Sequence, residues 1–234
     1  SAFIGKFRGL PELQDGFRSF DQGLGVLGGY DATFGWWGDT AIVVSSLDNG
    51  TIGGGLVIKP RDAAAAERLM TTLNSYAALG ATQGGFAIRT EDHAGTDITI
   101  LDLSGVPGMN AGSLPPGYKA EVAWATNKDV TVFGYGREFV AAVLDAGPGN
   151  SLNDDARFKA LLNRVGAENI SVGFIDVNAI RTLAEPLLRT SLPAEQYAFY
   201  ERELKPYIEN FDALIGTNRK DGSLDRGSVI FTAH

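Results

Sequence analysis

The sequence contains no cysteine. Disulfides, thiolate metal sites, iron–sulfur clusters and cysteine nucleophiles are excluded together. Histidine occurs twice, at His93 and at the last residue, His234, so imidazole chemistry has little to work with. Positive charge is also scarce. The chain has 20 Lys and Arg against 28 Asp and Glu, a formal charge of −8 at pH 7. Nucleic-acid binding depends on a basic face that releases counterions, and the densest basic run here is Arg219-Lys220. No nucleic-acid partner is expected, and the same charge disfavours anionic lipid headgroups. Residues 69–88 carry no formal charge and have the length of a membrane span. They include Thr, Asn, Ser, Gln and Gly, and read as a helix followed by a turn. No secretory leader is read at Ser1-Ala2-Phe3. The G-x-S-x-G elbow of hydrolases and the G-K-[ST] of phosphate loops are both missing.

Glycine is abundant, 30 of 234 residues, without a collagen period. A chain of this length buries about 70% of its unfolded surface and can hold a core without metals or cross-links. Leu10, Leu13, Phe17 and Phe20, with Pro11, are spaced as an amphipathic helix that the glycines from Gly23 to Gly29 should break. Residues 40–47 and 56–59 read as strands joined by the Asp48-Asn49-Gly50-Thr51 turn. Asp62 caps an alanine-rich helix that buries Ala66, Leu69, Leu73, Tyr76 and Ala77 and ends at Gly80. Strands follow over 85–90 and 96–103, then a Gly/Pro loop over 105–117.

A second hairpin, 119–136, turns at Asn127-Lys128-Asp129 and is followed by a helix over 137–146, stopped by Gly147-Pro148. Asn153 or Asp154 caps a helix burying Phe158, Leu161, Leu162 and Val165. Residues 170–177 read as a buried strand. Asn178 caps the next helix, which Pro186 should kink or break. Tyr197, Tyr200, Leu204, Tyr207, Ile208 and Phe211 form a further helical stripe, interrupted by Pro206. A third hairpin pairs 214–217 with 228–232 around Asp221-Gly222.

The fold class is therefore α+β: an antiparallel sheet built from β-hairpins with helices packed on one face, the hairpin–helix unit occurring twice before a terminal hairpin. The expectation is a single domain over 1–234, with sub-units of 1–104 and 118–234 joined by the loop 105–117.

The order of several phrases has a familiar look. Trp36-Trp37-Gly38-Asp39 precedes an apolar strand. Leu56-Val57-Ile58-Lys59-Pro60-Arg61-Asp62 leads into the alanine-rich helix. Ser151-Leu152-Asn153-Asp154-Asp155-Ala156-Arg157-Phe158-Lys159-Ala160-Leu161 is followed by Val172-Gly173-Phe174-Ile175-Asp176-Val177. In this the chain resembles the C-terminal half of a bacterial family catalogued as domain of unknown function 3352. The resemblance implies an extracytoplasmic location, cell-surface or periplasmic, behind an N-terminal anchor that this sequence does not include. It implies no catalytic residues.

Residues with chemical potential have plainer roles. Glu91-Asp92-His93 lies at a hairpin tip, where neighbours point to opposite faces. Gly23-Leu24-Gly25-Val26-Leu27-Gly28 matches G-x-G-x-x-G but follows a helix, so it is no dinucleotide cradle. Asp221, Ser223 and Asp225 echo a calcium loop without its glutamate. Asp154-Asp155 suits a helix N-terminus. Asp39, Asp102 and Asp176 are the acids nearest strands, with nothing to bring them together. Trp36 and Trp37 are the ligand-binding candidates. Adjacent aromatics on a strand face opposite ways, so one can enter the core while the other covers a surface patch, but aromatics mostly serve burial and core packing of both is favoured. No catalytic set, metal site or cofactor is expected. The function expected is a non-catalytic, extracytoplasmic structural or protein-binding domain. The alternatives are a carrier or sensor of a hydrophobic small molecule, and an enzyme of unidentified type.

Overall fold

In the computed structural model, the described residues are 14–47, 50–109, 114, 117–147, 149–166 and 169–233. The expected parts played by Leu10, Pro11 and Leu13, the Asp48-Asn49 turn, Pro148 and His234 lie outside them. Two compact units divide the chain, 1–145 and 146–234.

The first unit opens with α1 (Gln14–Val26) and α2 (Tyr30–Phe34). The glycines from Gly23 onward do not break α1 where expected. Gly23 and Gly25 stay helical, and the chain turns only at Gly28 and Gly29, whose φ of 89° and 90° suits residues without a Cβ. Then come β1 (Trp37–Ser46), β2 (Ile52–Pro60), α3 (Ala63–Ala81), β3 (Ala87–His93), β4 (Thr96–Asp102), β5 (Glu121–Thr126), β6 (Thr131–Tyr135) and α4 (Arg137–Asp145). Asp62 caps α3 as expected, its carboxylate accepting from Ala65 N–H at 2.9 Å.

The six strands form one antiparallel sheet in the order β1-β2-β6-β5-β4-β3. It is three hairpins side by side, with β2 meeting β6 in the register Leu56↔Phe133. The loop 105–117 joins β4 to β5, which pair directly (Ile100↔Ala123). It is a connection inside one sheet. The expected joint there is displaced by the division that follows Asp145.

Helices cover both faces of this sheet, which corrects the expectation of one. Alternation along the strands shows why. Leu56 and Ile58 of β2, Val122 and Trp124 of β5, and Phe133 of β6 pack with Ala66, Leu69 and Met70 of α3. Their neighbours Val57, Ala123, Ala125 and Val132, with Ile98 and Ile100 of β4, pack with Phe139, Val140 and Ala141 of α4. Each fully buried aliphatic chain contributes about 1.5–3 kcal/mol. The central strands are therefore apolar on both sides, which is why β5 shows so little polar alternation.

The glycine-rich β2 has a steric reason. Gly55 pairs with Gly134 across strands, and the Phe139 ring lies over both. A Cβ on Gly134 would stand 2.2 Å from Phe139 Cδ1, and one on Gly55 would stand 2.6 Å from its Cε1. An aromatic ring laid on a glycine pair recovers the packing that the sheet would otherwise lose.

The second unit holds a 3₁₀ turn (Leu152–Asp154), α5 (Ala156–Val165), β7 (Ser171–Asp176), α6 (Val177–Ser191), α7 (Ala194–Phe199), a π turn (Tyr200–Leu204), α8 (Lys205–Ile208), β8 (Phe211–Asp221) and β9 (Leu224–Ala233). Its sheet is β7-β8-β9, again antiparallel. Leu161 of α5 packs on Ala213 and Ile215, joined by Phe158, Leu162, Val165, Phe174 and Ile230.

Several boundaries differ from the sequence reading. Asp155, rather than Asn153 or Asp154, caps α5 by accepting from Phe158 N–H at 2.7 Å. Asp154 serves the turn before it, accepting from Ser151 Oγ at 2.7 Å. Asp176, rather than Asn178, caps α6. The helix α6 runs on through Pro186, which lies on the solvent side, where water can serve the carbonyl that loses its partner. Pro206 follows the π turn directly, with helical backbone on both sides, so the chain stays helical across it. Phe211 opens β8 instead of closing a helix. The strand β7 is an edge, with Val172 and Ile175 exposed rather than buried.

Candidate functional site

The charged side chains of the first unit hold its helices in place. Glu91 accepts from Arg89 Nε at 3.0 Å and from Arg137 Nε at 3.1 Å. The hydrogen bond from Arg89 is the main cause holding the Glu91 carboxyl below its usual range, with Arg137 adding to it against the opposing effect of burial. Arg89 also donates to the buried Glu121 at 2.9 Å. Arg137 begins α4 and Asp145 ends it, and Asp145 Oδ1 lies 2.8 Å from His93 Nε2. Strand β3 thus grips α4 at both ends, which is the work of the Glu91-Asp92-His93 segment. Asp102 accepts from Ser104, chiefly through the serine side chain, and its carboxyl is held low. Asp39 is exposed on β1. These acids do not meet.

In the second unit Arg157 of α5 donates to Asp176 and, at 2.6 Å, to Asp212. Burial works to lower the Arg157 pKa, and the two carboxylates outweigh it and raise it. A second cluster centres on Glu185, which accepts from Tyr200 Oη at 3.1 Å, from Lys205 Nζ at 3.4 Å and from Arg181 at 3.4 Å. Burial pushes the Glu185 carboxyl up, but Tyr200, Lys205 and Arg181 pull it below its ordinary value. Tyr200 is buried by this bond, while Tyr207 stands exposed. Asp221 is bound by Arg226 at 2.9 Å. Among the described residues no three His, Asp or Glu are grouped as a metal would require.

Trp36 precedes β1 and is 2% exposed. Trp37 opens the strand and is half-buried. They meet edge to face at 5.9 Å, and Phe34 and Tyr30 extend the aromatic row. Both belong to the α3 side of the core, the shared core packing that the sequence favours over a division between core and surface. Beside them a cleft of 180 Å³ opens between α1, α2 and α3, lined by Leu27, Ala32, Ala65, Arg68, Leu69 and Thr72. Gly23 and Gly25 lie within α1, so the G-x-G-x-x-G match forms no strand-to-helix cradle.

The feature that the sequence reading missed is a sheet face. Twelve of the nineteen large apolar side chains that the described residues expose fall between Leu152 and Phe231, against three buried ones there, Leu161, Tyr200 and Ile215. The face of β7-β8-β9 opposite α5 carries two cross-strand rows. One is Ile175, Leu214 and Phe231; the next is Gly173, Gly216 and Val229. Phe231 is 64% exposed and Val229 61%. The glycine row makes a trough beside an apolar ridge. A Cβ built on Gly173 would have its nearest neighbour at 3.9 Å and one on Gly216 at 3.8 Å. The Gly55–Gly134 pair of the other sheet is filled by Phe139; this pair is open. The run Val229-Ile230-Phe231 is apolar on both faces of its strand, and of the three only Ile230 joins the α5 core.

A scan of protein-family models and searches of curated proteins and of solved structures find no match to this chain. The family resemblance rests on the quoted phrases alone. What fold and site define is a two-unit α+β protein whose smaller sheet presents an apolar face, and no helix of the described residues is long and apolar enough to cross a membrane.

Proposed function

We propose that the chain is a non-catalytic protein-binding domain of an extracytoplasmic, membrane-anchored bacterial protein, and that the open face of β7-β8-β9 receives an aromatic-bearing segment of a protein partner. The supporting observation is the empty glycine trough of Gly173 and Gly216 beside Phe231, Leu214 and Ile175. The same chain fills an equivalent trough with a phenylalanine ring, so the occupant with matching chemistry is a planar apolar side chain. Apolar patches rimmed by polar residues mark contact sites. The Glu91 and Arg157 ion pairs tie helices to strands, and the Glu185 cluster ties helix to helix, so each of these charges has a structural part to play. The extracytoplasmic and anchored part of the reading leans on the family resemblance. A carrier of a hydrophobic small molecule fits less well, because the more enclosed cleft of 180 Å³ falls below the roughly 300 Å³ at which ligand pockets begin, and the larger hollow of 520 Å³ is wide open and lined by Glu67, Arg68, Thr71 and Thr72 of α3 with Ala64.

The chain's lack of cysteine supplies the test. A photo-reactive phenylalanine analogue at position 231 of the full-length protein, irradiated in intact host cells, is expected to give one discrete protein adduct, and the analogue at Lys220 none. A Lys220→Cys thiol is expected to react with a membrane-impermeant maleimide in those cells, above the labelling of the protein without that substitution. Absence of any adduct at position 231 would overturn the binding reading; a protected thiol would overturn the location.

A further inference from the structure

Strand β1, in the first unit, lies at the edge of the six-stranded sheet. Among the described residues no strand pairs with its outer side. The direction of its free groups follows from the hairpin. Leu47 N–H donates to Thr51 O at 2.9 Å, opposite it in the register that continues Ser46↔Ile52. Hydrogen-bonded pairs alternate along an antiparallel ladder. Ser45, Val43 and Ala41 therefore bond to β2, and Thr40, Ile42, Val44 and Ser46 turn their N–H and C=O groups outward. The run from Thr40 to Ser46 carries no charge. Ile42 is 85% exposed and Val44 70%. Long, uncharged, apolar edges template pairing with another strand, and proteins usually blunt them with charge. The opposite edge, β3, is blunted in that way by Arg89, Glu91, Asp92 and His93.

We propose that two copies of this chain associate through β1, antiparallel about a two-fold axis beside Val43, so that two six-stranded sheets become one continuous sheet. The occupant is a second copy because the edge is complementary to itself. In this register Ile42 of one copy faces Val44 of the other, and Thr40 faces Ser46. All four are outward-bonding residues, as an antiparallel ladder requires. Ile42 and Val44 of both copies then cluster on one face, and Asp39 falls opposite Leu47 with no like charge across from it. The charged β3 edge is a poor match for β1, so association closes as a dimer rather than running on as a filament. Pairing one short edge buries less than the about 1,000 Å² of a stable complex, so the dimer is weak and depends on concentration. The inference uses no residue of the second unit and stands apart from the function proposed above.

Sedimentation velocity from micromolar to millimolar protein tests it. The wild-type chain is expected to move from monomer to dimer, and Ile42→Lys and Val44→Lys each to weaken association at least tenfold, while Thr90→Lys on β3 leaves it unchanged. Both lysines stand at exposed positions that bury nothing. Val43→Cys, the sole thiol in the chain, is expected to give a covalent dimer on oxidation, since non-hydrogen-bonded partners approach to about 4.5 Å between Cα atoms. A chain that stays monomeric throughout overturns the proposal. So does a dimer indifferent to both lysines but abolished by Phe231→Asp, and a lysine-sensitive dimer in which Val43→Cys fails to cross-link removes the two-fold placed beside that residue.

Discussion

The ring of Phe158 meets that of Phe174 edge to face, with centroids 5.3 Å apart and planes at 78°. One step back along the helix the Arg157 guanidinium approaches the Phe174 ring at 5.9 Å and bonds Asp176. Two separate sequence phrases, the acidic helix start at 151–161 and the strand 172–177, thus meet as one contact between α5 and the edge of the smaller sheet. Their spacing in the chain follows from that contact.

Phe158→Ala is expected to destabilise the second unit by about 3 kcal/mol, and the double change with Phe174→Ala to cost about 1 kcal/mol less than the sum of the singles. Urea titration followed by far-UV circular dichroism measures this. All three tryptophans, Trp36, Trp37 and Trp124, lie in the first unit. Their fluorescence transition is expected to stay in place while the dichroism midpoint falls.

Arg157→Ala leaves Asp176 and Asp212 facing each other without their shared cation. The group is about a third exposed, so the expected loss is about 2 kcal/mol rather than the larger figure of a fully buried pair. Arg157→Lys is expected to recover less than half of it, because an ammonium cannot serve two carboxylates in the fork geometry of a guanidinium. The same titration reads both variants.

Acid sensitivity is expected at Glu185. Its folded pKa lies below the ordinary 4.5, so the unfolded chain takes up the proton first as pH falls. The stability that the carboxylate lends is full above that ordinary value and is lost as pH drops through the folded value. Glu185→Gln is expected to be less stable than wild type at neutral pH and to show a flatter decline below the ordinary carboxylate value. Thermal midpoints across a pH series check it, and parallel curves for the two proteins would falsify the assignment.

In the larger sheet, Gly134→Ala is expected to cost several kcal/mol, because its methyl would enter the Phe139 ring. Phe139→Ala alone should cost about 3–5 kcal/mol. Combining the two is expected to cost much less than the sum, since the ring that the added methyl would strike is gone. Equilibrium unfolding followed by tryptophan fluorescence supplies the cycle.

Much of the fold was legible because short-range physics dictated it. The Asp62 cap, the Asp221-Gly222 turn and the Asn127-Lys128-Asp129 turn all speak within a few residues. The side on which a helix docks does not. Val57 and Ile58 are equally apolar, and only the finished sheet assigns one to α4 and the other to α3. Pro186 misled because a lost hydrogen bond on the wet side of a helix is cheap. Strand alternation does not govern Trp36, which stands before the strand begins, and both tryptophans join one core. The open face of β7-β8-β9 was hidden because Val229-Ile230-Phe231 has the composition of a strand covered on both sides. Nothing local to those residues says that one cover is missing.

The larger sheet also carries a consequence for how the chain reaches its native state. Its hairpins β1–β2, β3–β4 and β5–β6 each close over a short connection. The seam between β2 and β6, running from Gly54↔Tyr135 to Ile58↔Thr131, must instead find its partner across most of the unit's length. Distant pairings of this kind raise contact order and slow folding. Zippering of β2 onto β6 is therefore expected to set the pace of folding, with α3 and α4 docking on opposite sides of that seam.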